Sequence, residues 1–449
     1  MNIVRRLLLL CGVVAAGAAQ AQAPAAETTA YRGATLIDGT GGPARTQMTV
    51  VTRADRIVAV VPDRQATPAM LKTAQIVDLS GRWLLPGLID SHQHVATPPN
   101  RRRAEALMRR DLYSGITATR IMADDLRSVG EIARAARVGE IASPDLYYAA
   151  LMAGPSFFDD PRTRAVSAGV TPGEGAWMQA IDDTTDLPLA VARAKGTGAI
   201  AIKVYANLPA HLIAAITAEA HRQGMQVWAH GMVFPTPPAE VIAAGPDVIS
   251  HTCYLAYQAV AARPQRYQDR APIDPAPFAR GDNAVMAGLF AEMKRRGMLL
   301  DPTLRVYREV EARSARSGTP PYCTLDLAAT LTAQAHRAGI ELSAGTDGDT
   351  DADDPYPGLF DELELLVDKA GLTPAQAIRS ATLVGAMTMG QAKEMGTIEP
   401  GKLANMVVVT RDPVADIANM RSVAMTVKRG RAYPREAYVP VTAQEIARD

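Results

Sequence analysis

Two histidines that are two residues apart, His92 and His94, end an apolar segment that starts at Leu85. In a β-strand both imidazoles would point to one face, because side chains alternate with a period of two. The pair could therefore chelate one metal ion. His230 and His251 also end apolar runs, so four imidazoles could converge at the ends of three strands. Imidazole ligands favour zinc, with manganese, cobalt or nickel as alternatives.

Asp347 follows the run Ala344-Gly345-Thr346 and could add a carboxylate to the same centre. In a closed barrel the last strand lies beside the first, which would bring Asp347 next to His92 and His94. There it could act as a metal ligand and proton acceptor. The alternative is an aspartate that caps a loop.

Lys203 is a charged residue inside the otherwise apolar run 199–205. Lysine is almost never fully buried without a partner. A desolvated, neutral lysine amine can take up carbon dioxide and become an anionic carbamate, which could bridge two cations. The alternatives are a lysine that reaches solvent with its head group or pairs with an acidic neighbour.

The middle of the chain alternates apolar, strand-like runs with helical patterns, which is typical of parallel βαβ units. Eight such runs predict a closed (β/α)8 barrel, whose active site would lie at the carboxyl ends of the strands. The predicted strands are 83–95, 116–122, 146–153, 199–205, 226–231, 247–254, 298–304 and 341–346.

Three other histidines lie at predicted helix ends, and we expect them at the surface. His221 and His336 each precede a glycine that ends a helical pattern, and His211 starts another. Three long segments, 155–186, 258–282 and 305–324, each follow a predicted strand. Loops at these ends of a barrel shape the substrate site.

Short β-branched runs and glycine-rich turns at both ends of the chain predict one small, antiparallel β-sandwich domain. Its strands include 48–52, 57–61, 405–410 and 422–428. The predicted domain boundaries are 24–82 and 395–449 for the sandwich and its C-terminal tail, and 83–394 for the barrel.

The first 23 residues have the pattern of a secretory signal peptide. Arg5 and Arg6 precede a short apolar run, 7–19, and the small-x-small pattern 21–23 predicts cleavage after Ala23. An uncleaved anchor is the alternative, and the arginine pair leaves both the general secretory and the twin-arginine routes open. The mature protein is thus expected in the periplasm or outside the cell, without stable membrane insertion.

Cysteine content and net charge indicate how the fold is stabilised and which partners are excluded. After cleavage only Cys253 and Cys323 remain, which does not amount to a disulfide framework, so stability must come from the core. The 449 residues include 47 Lys and Arg and 47 Asp and Glu, and this balance argues against a nucleic-acid partner.

The segments 85–94 and 396–405 resemble those of the amidohydrolase superfamily, and within it the imidazolonepropionase-like enzymes and Xaa-Pro dipeptidases. Asn405 and the flanks of Lys203 depart from the usual pattern. The resemblance implies that His92, His94 and Asp347 hold one Zn²⁺ and that His230 and His251 hold a second. A carboxylated Lys203 would bridge the two ions.

The resemblance also implies a metal-dependent hydrolase of amide bonds, acting on dipeptides or N-acyl amino acids without an organic cofactor. With the signal pattern of residues 1–23, an exported hydrolase is expected. Metal-activated hydroxide would attack the carbonyl, and Asp347 would pass the proton to the leaving group. Tyr205 and Tyr254 could donate to the oxyanion or simply pack at the rim. The acidic residues 349, 351, 353 and 354 could attract a substrate amine or form a solvated loop.

Two other functions stay open at this point. The same centre could serve a lactonase or phosphotriesterase, and an exported protein of this fold could bind a ligand without catalysis. Each of these functions predicts a small-molecule ligand. A homo-oligomer is compatible with all of them.

Overall fold

A computed structural model describes residues 27–348 and 354–447. The predicted signal peptide lies outside this range, and so do Asp349, Asp351 and Asp353 of the acidic run. The described strands are β1 (Thr28–Leu36), β2 (Arg45–Arg53), β3 (Arg56–Pro62), β4 (Ala74–Asp78), β5 (Trp83–Pro86), β6 (Leu88–Gln93), β7 (Ile116–Ile121), β8 (Asp145–Ala153), β9 (Glu174–Gly175), β10 (Met178–Ala180), β11 (Ala201–Val204), β12 (Gln226–His230), β13 (Val248–Ser250), β14 (Leu299–Asp301), β15 (Met406–Val409), β16 (Val423–Lys428) and β17 (Arg431–Pro434).

The described α-helices are α1 (Pro68–Leu71), α2 (Arg101–Tyr113), α3 (Leu126–Val138), α4 (Pro161–Ala165), α5 (Leu187–Gly196), α6 (Ala210–Arg222), α7 (Pro238–Ala243), α8 (Thr252–Leu255), α9 (Ala284–Arg296), α10 (Leu304–Ser317), α11 (Leu325–Arg337), α12 (Leu359–Asp368), α13 (Pro374–Arg379), α14 (Gly385–Thr388) and α15 (Ala443–Ile446). A π-helical segment, Ser380–Val384, joins α13 to α14. None of the helices in the described ranges combines the length and apolarity needed to cross a bilayer.

Seven parallel strands form most of a barrel, in the order β6-β7-β8-β11-β12-β13-β14. All six residues of β7 are buried, as expected for a strand covered on both faces. The predicted eighth strand, 341–346, is not a regular strand but closes the gap. Leu342 forms a parallel bridge with Leu300, and the Ser91 amide donates to the Ala344 carbonyl at 2.8 Å. The predicted (β/α)8 barrel is therefore confirmed.

The two terminal regions form one eight-stranded sheet beside the barrel. Its order is β17-β16-β15-β5-β1-β2-β3, with β4 beside β1. Strand β5, which precedes the barrel, pairs with β15, which follows it. The sheet is mixed rather than purely antiparallel, because β1 pairs in parallel with β4 and β5. It has its own apolar core, which includes Tyr31, Leu36, Val50, Leu84 and Val408.

Three predicted strands are shorter than expected, because the backbone turns sharply within or after each. The run 83–95 divides at Gly87 into β5 of the small sheet and β6 of the barrel. The runs 247–254 and 298–304 are strands only over β13 and β14. His251 and Thr303 then adopt φ values of 69° and 52°, and the chain enters α8 and α10.

The expectation of three long loops needs two corrections. Segment 305–324 is mostly the helix α10, which was predicted as a loop. Segment 155–186 contains α4 and the short strands β9 and β10, the latter paired with β8. The two cysteines of the described chain, Cys253 and Cys323, form a disulfide with their Cα atoms 6.3 Å apart. It ties α8 to the connection after α10.

Candidate metal centre and substrate cavity

A cavity of about 460 Å³ opens where the barrel strands end, and most of the predicted site residues line it. These are His92 on β6, His94 just after it, His230 at the end of β12, His251 after β13, and Asp347. Lys203, on β11, is completely buried. The structure therefore brings the six predicted ligands to one end of the barrel.

Asp347 lies at the centre of the imidazoles. Its Oδ1 is 3.2 Å from Nε2 of His94 and 3.5 Å from Nε2 of His92, and its Oδ2 is 3.5 Å from Nδ1 of His251. His92, His251 and Asp347 each offer one ligand atom, and these three atoms lie within 4.8 Å of one another. This spacing is compatible with three ligands of a single cation. His94 instead contacts both Asp347 and a second carboxylate.

The close approach of the last barrel segment to β6 puts Asp347 in position. The amide of Asp347 donates to the His92 carbonyl at 2.9 Å. Two residues earlier, a Cβ on Gly345 would lie 2.8 Å from that of His92 and would also collide with Asp301. Glycine is required there so that the two segments can meet.

Two buried carboxylates orient the histidines of β6. Asp301, the last residue of β14, lies 2.8 Å from Nδ1 of His92, and its Oδ2 also accepts a hydrogen bond from Arg120 at 2.8 Å. Asp124 lies 3.2 Å from Nδ1 of His94 and accepts hydrogen bonds from the amides of Val95 and Ala96. With Nδ1 thus engaged, Nε2 of each ring is directed at Asp347. Carboxylate partners of this kind fix the tautomer and orientation of metal-binding histidines.

His230 is enclosed by rings and has an unpaired nitrogen. Its ring centroid lies 4.1 Å from that of Tyr205 and 4.9 Å from that of His251. Within the described residues its buried Nδ1 has no hydrogen-bond partner. Burial, followed by the charge of Lys203, holds the pKa of His230 well below its usual range. The imidazole is therefore neutral at pH 7, which is the form that binds metals.

His92 and His251 are also neutral, whereas His94 is not. Burial lowers the pKa of His92 and lowers that of His251 to about 3. Burial opposes the charge of His94 as well, but the hydrogen bonds to Asp124 and Asp347 raise its pKa to about 10. In the metal-free protein His94 is thus a cation paired with two carboxylates. A metal ion would have to displace its proton.

Asp347 is ionised in these surroundings. Burial alone would raise the pKa of its carboxyl, but the neighbouring imidazoles, His92 and His251 first, lower it by more. An ionised carboxylate among neutral imidazoles is a donor set that suits a divalent cation.

Lys203 fits neither of the simpler explanations for a charged strand residue. It is fully buried, so its head group does not reach solvent. Its Nζ donates to Ser250 Oγ at 3.3 Å, and no described carboxylate lies within 4 Å of it. Burial, with the nearby charge of Arg120, lowers the pKa of Lys203 to about 7. A large fraction of the amine is therefore neutral near pH 7.

Tyr205 and Tyr254 line the cavity, but their hydroxyls have other contacts. Tyr205 Oη lies 3.4 Å from Tyr267 Oη, and Tyr254 Oη accepts a hydrogen bond from Arg270 at 2.5 Å. Burial raises the pKa of both phenols, so they stay protonated. Their role as oxyanion donors stays a prediction.

The histidines that we expected outside the site do lie outside it. His211, at the start of α6, contacts Asp183 at 2.5 Å, and His221, near the end of α6, contacts Asp247 at 2.9 Å. Both are exposed, and His336 lies in the last turn of α11.

Three residues around the site, Asp301, Asp124 and Arg120, were not predicted from the sequence. Asp301 ends an apolar strand, as Asp347 ends an apolar run, so the rule that found one could have found the other. Arg120 is a charged residue inside the apolar strand β7, the same signal that identified Lys203. Asp124 is a loop residue without a comparable signal.

The barrel has a possible metal site at its carboxyl end, and sequence comparison assigns the class of protein. The amidohydrolase family profile matches residues 83–433, and the chain belongs to this family. The predicted superfamily and hydrolase class are thereby confirmed.

Individual relatives resemble parts or all of the chain. An N-acyl-D-aspartate deacylase from Alcaligenes xylosoxydans xylosoxydans is 46% identical over 72 residues, which is 16% of this chain and 13% of that protein. The structure of an Xaa-Pro dipeptidase with methionine bound in its active site has 20% identity and a TM-score of 0.70, covering 91% of this chain and 100% of the other. The ochratoxinase of A. niger has 21% identity and a TM-score of 0.72, covering 91% and 96%. At these identities the two structures support the fold.

Proposed function

We propose that this protein is a metal-dependent hydrolase that cleaves an amide bond of a small substrate, such as a dipeptide or an N-acyl amino acid. The observation that carries the proposal is the convergence of two neutral imidazoles, those of His92 and His251, on an ionised Asp347 at the mouth of the barrel. Relatives named as a deacylase and as a dipeptidase both act, by their names, on amide bonds. Their names support the choice of bond.

The residues fit a divalent metal. His92, His251 and Asp347 have the spacing of a ligand set, and His230 has a buried ring nitrogen without a described partner. In the assignment that the family resemblance implies, His92, His94 and Asp347 would hold one ion, His230 and His251 a second, and a carbamate on Lys203 would lie between them. The spacing of His92, His251 and Asp347 supports a single shared ion as the alternative. Zinc suits imidazole and carboxylate ligands. When bound, such a metal polarises the scissile carbonyl and lowers the pKa of water.

The protein's own groups account for the proton transfers. Asp347 is ionised and faces the cavity, so its carboxylate can accept a proton from the attacking water. The same proton then passes to the leaving nitrogen as the carbon–nitrogen bond breaks, which releases an acid and an amine. Tyr205 or Tyr254, both protonated, can donate to the oxygen that gains charge.

Metal analysis and a substrate panel test this function. The panel contains Xaa-Pro dipeptides, N-acyl amino acids, lactones and phosphotriesters, and we expect turnover of the amides and loss of activity with a chelator. In His92→Ala we expect metal content and activity to fall together, with kcat/KM more than roughly 100-fold lower. The exposed His221→Ala is the matched control and should stay within about twofold.

The outcomes separate the alternatives. Full metal occupancy in His92→Ala would remove the proposed site. Turnover of lactones or phosphotriesters alone would keep the site and replace the amide substrate. Binding of metal without turnover of any panel member would favour a non-catalytic protein.

We also propose that the protein is exported. The arginine pair, apolar run and small-x-small pattern of residues 1–23 support a cleaved signal. The Cys253–Cys323 disulfide supports an oxidising compartment. Mass spectrometry of the exported fraction should find a mature chain that begins at or near Pro24. An intact Met1 on active, cytoplasmic protein would contradict export.

A further inference from the structure

Arg270 occupies an unusual position in the wall of the substrate cavity. It lies in segment 258–282, which the sequence analysis expected to shape the site, and it lines the cavity. Its guanidinium carbon is 3.8 Å from the ring centroid of Tyr267 and 4.9 Å from that of Tyr322. One guanidinium nitrogen donates to Tyr254 Oη at 2.5 Å. The aromatic rings fix the orientation of this half-buried cation.

Arg270 differs from the other arginines of the cavity because no described carboxylate pairs with it. Arg162 pairs with Asp160 at 2.7 Å, and Arg313 with Glu309 at 3.8 Å. For Arg270 the described contacts are rings and a neutral hydroxyl. Burying a charge is costly unless an opposite charge accompanies it. The remaining donors of its planar guanidinium could bind a carboxylate.

The surroundings confirm a local excess of positive charge. The guanidinium carbons of Arg270 and Arg162 lie 3.8 Å and 5.5 Å from the ring centroid of Tyr267, so two cations meet at one ring. An incoming anion would relieve this imbalance. Glu309, a carboxylate of the cavity wall, is already paired with Arg305 and Arg313.

Arg270 is also close to the proposed reacting centre. Tyr254, which accepts its hydrogen bond, has its ring 5.4 Å from that of His230 and 5.5 Å from that of His251. The cation is thus separated from the imidazoles by one tyrosine ring. Phe157 and Tyr205 form an apolar wall beside them, with ring centroids 4.7 Å apart.

We propose that Arg270 binds the free carboxylate of the substrate, so that the enzyme selects N-acyl amino acids or dipeptides over their uncharged counterparts. This proposal rests on the proposed amide hydrolysis and specifies the group next to the scissile bond. The carboxylate pairs with the guanidinium while the amide lies against the imidazoles and Asp347. The aromatic wall accommodates an apolar side chain.

The test compares each panel amide that bears a free carboxylate with its carboxamide, in kcat/KM and in equilibrium binding by calorimetry. We expect the wild type to prefer the carboxylate member roughly 10- to 100-fold, the range of a charge-assisted hydrogen bond. Arg270→Met should lose this preference by a decrease for the acid only. Arg270→Lys should retain part of it. Circular dichroism and thermal melting confirm that the variants fold.

Arg313→Met is the matched control, since Arg313 lines the same cavity but already has a carboxylate partner. It should keep the wild-type preference within about threefold. Equal turnover of acid and amide by the wild type, or an equal loss for both in Arg270→Met, would overturn the carboxylate site and leave amide hydrolysis intact. If neither member is turned over, the proposed function fails, and the binding data alone decide: equal affinities overturn the site.

Discussion

Lys203 is the site residue whose chemistry depends most on what the centre holds. A cation at this position would repel the metal ions that the surrounding imidazoles attract, and conversion to a carbamate reverses the sign of its charge. Burial lowers the pKa of Lys203 to about 7, and its one hydrogen bond among the described residues is to Ser250, so a neutral amine is present that can react with carbon dioxide. We therefore expect Lys203→Ala to bind less metal and to lose activity. A short carboxylic acid should restore part of both by supplying the missing oxygens.

Lys203→Arg is the control, because a guanidinium keeps its charge and cannot form the carbamate. Neither metal content nor activity should recover in it, with or without the added acid. If the wild type holds one metal per chain and Lys203→Ala keeps that metal, the centre is mononuclear. Lys203 would then have a structural or substrate-binding role.

Asp301 has two roles that mutagenesis can separate. It orients His92 through Nδ1 and is the described carboxylate that neutralises the buried Arg120. Asp301→Asn should weaken metal binding by roughly 10- to 100-fold, as loss of a ligand's carboxylate partner typically does. It should also cost about 3–5 kcal/mol of unfolding free energy, because the guanidinium of Arg120 stays buried without its counter-charge.

The double variant Arg120→Met/Asp301→Asn completes the cycle. Removal of the stranded cation should recover most of the unfolding free energy in denaturant titrations, while metal affinity should stay low. Recovery of metal affinity in the double variant would mean that Asp301 acts on the site only through Arg120.

At the scale of elements, the sequence predicted the barrel well where apolar runs are long and uninterrupted. Strands β7, β8 and β12 agree with their predicted runs to within two residues at each end. The runs 247–254 and 298–304 were predicted too long, because His251 and Thr303 take left-handed backbone conformations that composition does not reveal. The segment 341–346 looks like a strand in sequence but makes only isolated backbone contacts, since Gly345 lies against β6.

The site followed the same division. The four histidines, Lys203 and Asp347 could be predicted because each interrupts or ends an apolar run. Of the two orienting carboxylates, Asp301 also ends an apolar strand and could have been found by this rule, but Asp124 could not. Asp124 lies in the connection between β7 and α3. Its orienting role depends on its contact with His94, 30 residues earlier in the chain, and only the folded structure reveals this contact.

Glu362 illustrates how a buried carboxyl can join two elements and respond to pH. It lies on α12 and accepts hydrogen bonds from the amides of Leu304 and Arg305, at 3.0 and 2.7 Å, where α10 begins. Burial raises its pKa to about 8, although the two amides act in the opposite direction. The folded protein therefore retains this proton at pH values where the unfolded chain has lost it.

This proton makes the folded state less stable as pH rises. The contribution is fully present below the unfolded pKa, near 4.5, and is lost as pH rises to about 8. We expect Glu362→Gln, which cannot ionise, to gain on the wild type by on the order of 3–5 kcal/mol between pH 4.5 and pH 9. Urea titrations across this range measure the difference. Asp368→Asn, an exposed change on the same helix, should show no such trend.

At the scale of the whole molecule, the small sheet and the barrel share one buried ionic cluster. Asp145, the first residue of β8, is completely buried and contacts Lys428 Nζ at 2.9 Å and Arg429 at 2.8 Å. Both cations belong to the end of β16 and the turn after it. Sequence patterns predicted two domains but not this junction, because the partners are about 284 positions apart in the chain.

This junction can be tested by comparing a variant that leaves a buried charge without its partner with a variant that removes the charge itself. Asp145→Ala leaves the buried Lys428 without its described carboxylate, whereas Arg429 keeps Asp55 at 3.5 Å, so we expect a loss of about 3–5 kcal/mol that comes mainly from Lys428. Lys428→Met should cost less, since Asp145 keeps Arg429 as its partner and the apolar side chain fills similar space. The double variant should be more stable than Asp145→Ala alone. Thermal melts followed by circular dichroism and by residual activity should shift together, because the cluster joins β16 to the barrel strand β8. Equal stabilities of Asp145→Ala and wild type would show that the cluster does not hold the two parts together.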